Sequence, residues 1–235
     1  MDKKKIIIII ITGIAILTAG IVCKQQFFLM IPLFVSLFVM SFQSEANRIG
    51  VLIGAGNALL YTATYIIMGV YASAASALLF SFPIQLMTFF RWRKNAYKKT
   101  VIFKKMTTKQ RVVFTAGVLA LWAVLAGVFY YLKYEYAVFD SLLFLFGFIV
   151  PILTMLAFIE YTYLWIIQAV VGLFLNVQMA MNDISQITYL IYGVYALYCV
   201  ILAFINVHKF YKEQSLLRSQ LGVRSEECRG TSCRL

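Results

Sequence analysis

Seven stretches of this chain run for 18 residues or more without one charged side chain, and they constrain its fold more than any other feature. They are Ile6–Cys23, Gln25–Ser44, Ile49–Phe90, Val112–Leu132, Ser141–Ile159, Tyr161–Asn182 and Ile184–Val207. A helix needs about 20 apolar residues to cross a bilayer. Ile49–Phe90 is twice that length and reads as two spans, with a turn where small residues interrupt the aliphatic run at Gly69–Ser73. The expectation is an all-α polytopic membrane protein with eight transmembrane helices. A membrane barrel is excluded, because barrel strands alternate apolar and polar residues whereas these segments are continuously apolar.

Only 13% of the 235 residues are charged, against about 25% in a soluble domain. That is too few to cover a water-facing surface. Lys3–Lys5 ahead of an isoleucine run resemble the start of a signal peptide, but the apolar run outlasts a signal core of about 7–15 residues. A retained anchor helix is expected. Cytoplasmic loops carry the Lys and Arg excess. With both ends of the chain in the cytosol and eight alternating spans, nineteen basic residues fall inside and only Lys24 and Lys133 outside. The net charge of +12 is thus read as membrane orientation, next to a lipid bilayer, and not as nucleic-acid binding. The acid-free loop Arg91–Arg111, despite Trp92 and Tyr97, is read as a headgroup-facing loop. Cys228 and Cys233 sit in a polar tail with no histidine or further cysteine beside them, so a reduced, frayed tail is expected instead of a metal site.

Behind the first helix the spans fall into three, one and three. The divisions are an anchor helix at 1–24, a first triplet at 25–92, a basic loop and linker helix at 93–132, a second triplet at 133–209 and a tail at 210–235. Three spans plus one is even, so both triplets enter the membrane in the same direction, the geometry of parallel repeats. The second helices of the two triplets carry stripes of matched spacing, Gly54, Asn57, Tyr61, Tyr65 and Trp165, Gln168, Gly172, Asn176. At about 100° per residue each stripe lies on one helix face. Aromatic rings can stack on a flat solute and amides can read its edges. Amides and glycines also serve as packing between membrane helices, so a membrane assembly or interaction protein is the alternative. The third helices add Ser81, Gln85 and Thr88 in one, and Tyr189, Tyr192, Tyr195 and Tyr198 in the other. Candidate substrate contacts are Asn57, Tyr61, Gln85, Trp165, Gln168, Asn176, Tyr192 and Tyr195. Phe129, on the linker span, is expected to lie away from them.

No Asp, Glu, Lys or Arg lies deep in any span, whereas ion-coupled carriers use buried ionisable groups. No nucleotide-binding glycine loop, metal motif or catalytic constellation is present, so neither an enzyme nor a bound cofactor is expected.

The strings Gly69-Val70-Tyr71-Ala72, Gln85 to Trp92-Arg93-Lys94-Asn95, and Trp165-Ile166-Ile167 resemble the PnuC-type nicotinamide riboside transporters, over Asn47–Asn95 and Glu160–Lys212. The resemblance implies a SWEET-like core and a homotrimer. It also implies passage of an unphosphorylated riboside or vitamin down its gradient in the cell membrane, with a cytosolic kinase trapping the product. Thr162 stands where that family has the first tryptophan of a Trp-x-x-Trp. Ala169 replaces an acid or amide, and Phe89 and Tyr192 replace tryptophans. These departures bear on which solute is carried more than on transport.

Overall fold

The computed structural model describes residues 3–25, 27–67, 71–133, 137–182, 184 and 187–230. It is an α-helical bundle. The helices are α1 (Lys3–Val22), α2 (Phe27–Ser44), α3 (Arg48–Ile67), α4 (Tyr71–Ser76), a π-helical turn (Ala77–Ser81), α5 (Phe82–Lys94), α6 (Thr108–Tyr131), α7 (Ala137–Met155), α8 (Tyr161–Asn182) and α9 (Ile187–Gly230). A two-stranded hairpin, β1 (Ala96–Tyr97) and β2 (Thr100–Val101), lies between α5 and α6. Among the described residues six helices are long and apolar enough to cross a membrane. Two more apolar segments, Met30–Ser44 and Ser141–Met155, are shorter; they belong to α2 and α7, which carry Pro32 and Pro151 inside the helix. The turn expected at Gly69–Ser73 falls partly on 68–70, outside the described residues; the helix resumes at Tyr71.

α2 packs on α3 and α9, and α7 packs on α8 and α5. α1 covers the seam of α2 and α9. There Ile9 and Ile16 join Leu33, Leu37, Tyr195 and Val200 in one buried cluster, and Gly20 leaves room for the Met30 thioether, whose sulfur would lie 2.1 Å from any added Cβ. α6 rests mainly on α7 and has no buried residue. Hydroxyls inside the bundle return to their own helix, as low-polarity surroundings require: Thr62 donates to the Ala58 carbonyl, Thr88 to Ile84 and Thr154 to Val150. Four helices end on left-handed residues that are not glycine, Lys24, Ala46, Lys133 and Ala157.

The basic segment after α5 is more ordered than a headgroup-facing loop requires. Lys104 pairs with the turn between α7 and α8, its N–H on the Ala157 carbonyl (2.8 Å) and its own carbonyl taking the Ile159 N–H (2.9 Å). Glu160 accepts from the Met106 N–H at 3.0 Å and from Arg111 Nε at 2.9 Å. Thr107 and Gln110 form a reciprocal capping box that starts α6. Past the membrane, where the sequence reads as a frayed tail, α9 continues as helix to Gly230.

Candidate functional site

A cavity of about 650 Å³ lies between α3, α5, α7 and α8, within the range typical of small-molecule sites. α3 and α8 each supply a wall. α3 presents Gly54, Asn57, Tyr61 and Tyr65, and α8 presents Tyr161, Trp165 and Gln168. The π-helical turn and α5 add Phe80, Gln85, Thr88 and Trp92; α7 adds Phe148, Pro151 and Thr154. The π-turn falls where the wall bends around the cavity, a common place for this rare geometry.

Five of the eight expected contacts, Asn57, Tyr61, Gln85, Trp165 and Gln168, line this one space. The other three do not. Asn176 faces α9, where its amide donates to the Tyr189 carbonyl at 3.3 Å and sits 2.9 Å from where a Cβ on Gly193 would be. The Tyr195 hydroxyl is spent on the Leu37 carbonyl at 2.8 Å. Tyr192 packs with the cluster of α1, α2 and α9. Gly172, part of the α8 stripe, is also outside the lining. Thr162 is fully buried, with its hydroxyl on the Ile159 carbonyl.

The polar floor is organised by Ser36 on α2, a residue that no pattern in the sequence singles out. Ser36 donates its hydrogen to the Pro32 carbonyl (2.8 Å). It therefore accepts from Asn57 Nδ2 at 2.8 Å and from the Tyr61 hydroxyl at 3.3 Å. With the Asn57 amide turned this way, its Oδ1 is buried without a partner. Leaving such an acceptor unpaired costs about 1–3 kcal/mol. Gln43 also lines the cavity. Gly54 allows it to converge with Gln85: a Cβ there would lie 1.9 Å from Gln85 Oε1 and 3.4 Å from Gln43 Nε2.

Trp92, read from the sequence as an interfacial residue, is 2% exposed and closes one end of the cavity. Its indole N–H donates to the Thr154 carbonyl at 2.9 Å. Along the opposite rim the rings of Phe80, Phe148 and Phe144 follow one another at 5.3 and 5.0 Å, and Phe129 of α6 stands 6.1 Å from Phe144. The linker helix thus braces the rim instead of standing apart from it. Among the described residues no Asp, Glu, Lys, Arg or His lines the cavity, and no group of three or more His, Cys, Asp or Glu could hold a metal ion.

The family model described as nicotinamide mononucleotide transporter matches residues 26–205. The crystal structure of the vitamin B3 transporter PnuC is similar in fold, with a TM-score of 0.72 at 16% sequence identity over 91% of this chain and 94% of that one. No curated protein matches the sequence.

Proposed function

The chain belongs to the nicotinamide mononucleotide transporter family, a membrane transporter and not an enzyme, and from that premise we propose that it is a facilitative carrier of an unphosphorylated riboside, nicotinamide riboside or a related vitamin or nucleoside. The observation that carries this reading is the cavity wall: aromatic rings and amides, one buried acceptor without a partner and, among the described residues, no Asp, Glu, Lys, Arg or His. A mononucleotide brings a phosphate, which proteins meet with Arg, Lys or clustered backbone N–H groups. This wall offers no cationic side chain. A riboside brings a flat ring for Trp165 and hydroxyl or carboxamide donors for Asn57, Gln43, Gln85 and Gln168.

With no Asp, Glu, Lys, Arg or His among the described lining residues to couple ions, the substrate gradient drives passage and a cytosolic kinase sustains it by consuming the product. The eight-span, parallel-repeat layout is supported by the packing: the first helix of each triplet lies against the third helix of the other, α2 on α9 and α7 on α5. Left-handed corners recur in step, after α1 and α2 and again after α6 and α7. An even number of spans puts both chain ends on one side, and the basic segments next to them support the cytosolic side of the cell membrane. A homo-oligomer, a trimer, is part of the reading by resemblance; α6, which has no fully buried residue within one copy, has an apolar face for lipid or for a neighbouring copy. The test is uptake by proteoliposomes of a panel of ribosides, their 5′-phosphates and other vitamins. Saturable uptake of one or more ribosides, without their phosphates, is expected. A parent protein that takes up none of the panel returns the reading to an assembly protein.

A further inference from the structure

Behind Trp92, away from the cavity, stands Phe103. Phe103 is 0% exposed and its ring stands edge-on to the Trp92 indole, with 6.0 Å between centroids and 84° between planes. It belongs to no helix or strand; it lies between β2 and α6, and its position is set by what clasps the backbone around it. On one side that is the Lys104 pairing with Ala157 and Ile159. On the other, the Ile102 N–H rests on the Asn95 carbonyl at 3.1 Å, and one side chain holds Phe103 and Val101 together. Gln214 Oε1 accepts the Phe103 N–H and Gln214 Nε2 donates to the Val101 carbonyl, both at 2.9 Å. The amide takes the place of a missing strand partner. Gln214 is 4% exposed, so little water is at hand to replace it.

We infer that Gln214 is a positioning residue for passage: by clasping residues 101–103 it holds Phe103 behind Trp92 and keeps the basic end of the cavity shut. Gln214 stands on the part of α9 beyond the residues that the family model matches. The inference rests on the carrier reading, because a shut end has a consequence only where solute passes. An apolar replacement leaves the Phe103 N–H and the Val101 carbonyl buried without partners, and freeing both segments from each other relieves that cost.

The test uses the full chain with its four cysteines replaced by alanine and a single reporter, Thr88→Cys, in the cavity wall. Labelling by a membrane-impermeant maleimide is followed in vesicles whose basic loop faces the medium. In the Gln214→Leu variant the reporter is expected to react about tenfold faster or more, as local opening without global unfolding allows. Riboside affinity should hold, and a second reporter, Ala203→Cys, buried in the bundle away from the cavity, should stay unreactive. Gln214→Glu keeps the acceptor for the Phe103 N–H and should fall between parent and Gln214→Leu; it also serves as the test if Gln214→Leu does not fold. Unchanged Thr88→Cys labelling in the variants overturns the clasp, and so does a parallel rise at Ala203→Cys, which marks general loosening. If the parent binds no riboside, the carrier reading fails separately, and the labelling alone decides whether Gln214 holds the end shut.

Discussion

At the scale of single residues, the two walls of the cavity predict separable effects. Trp165→Ala and Gln168→Ala remove a stacking face and an edge contact, worth roughly 1–3 kcal/mol for the ring and about 1 kcal/mol for the amide. Each is expected to weaken riboside binding about tenfold with the thermal midpoint little changed, as calorimetry on purified protein can show. Asn176→Ala should do the reverse, lowering the midpoint and sparing affinity, because its amide ties α8 to α9 at Tyr189. Gly54→Ala should weaken binding, since its methyl occupies the space of the Gln85 carboxamide. The stripe spacing located the residues that share a helix face, and for Asn57, Tyr61, Trp165 and Gln168 that was enough. It could not say which neighbour the face meets. Asn176 and Trp165 share a stripe, but the helix outruns the cavity, and its far end meets Gly193. Ser36 and Gln43 were illegible for another reason: α2 reads as a mainly apolar span, and only the approach of α3 and of Gln85 on α5 turns these two of its polar side chains into a floor.

At the scale of elements, the periodic segments declared themselves and the connections did not. Strands of two residues leave no alternation to read, so the hairpin was invisible. Its order comes from distant partners such as Gln214 and Ala157. Glu45 is another such partner, joining α1 to the hairpin through Lys5 at 2.9 Å and Lys99 at 2.8 Å. Burial pushes the Glu45 carboxyl up, but the two ammonium groups together outweigh it and hold the carboxyl below the ordinary carboxylate range. A lowered folded value means that the tie contributes in full above the ordinary carboxylate range and is lost as pH falls through the folded value. Protection of the α1 amides near Lys5, taken relative to the intrinsic exchange rate at each pH, is therefore expected to fall on acidification through that window. Glu45→Gln should show the lowered protection already at neutral pH, with little further change on acidification. The left-handed end of α7 gives a second check at this scale. Ala157 has φ 59°, where a β-branched side chain is strained. Ala157→Val should lower the thermal midpoint, whereas Ala157→Gly should leave it unchanged or raise it.

At the scale of the whole molecule, the distribution of charge along the chain fixes the expected topology. Tags at residue 2, within 93–109 and at residue 230 should report cytosolic, and a tag near Lys133 external; an external signal from 93–109 would overturn the eight-span layout. Uptake into liposomes should not respond to imposed proton or sodium gradients, because among the described residues no carboxylate lines the cavity to carry the coupling. The same neutral wall has an electrical consequence. A wall without charge cannot cancel the charge of what it carries, so each solute crosses with its own. Nicotinamide riboside is a pyridinium cation; most other nucleosides are neutral. One elementary charge moving through 100 mV is worth about 2.3 kcal/mol, or roughly fiftyfold in concentration at equilibrium. A potassium diffusion potential, negative inside, should therefore concentrate the pyridinium riboside in the vesicles and leave a neutral nucleoside level on both sides. A carrier with no ion-coupling machinery would still be powered by the membrane voltage whenever its passenger is charged.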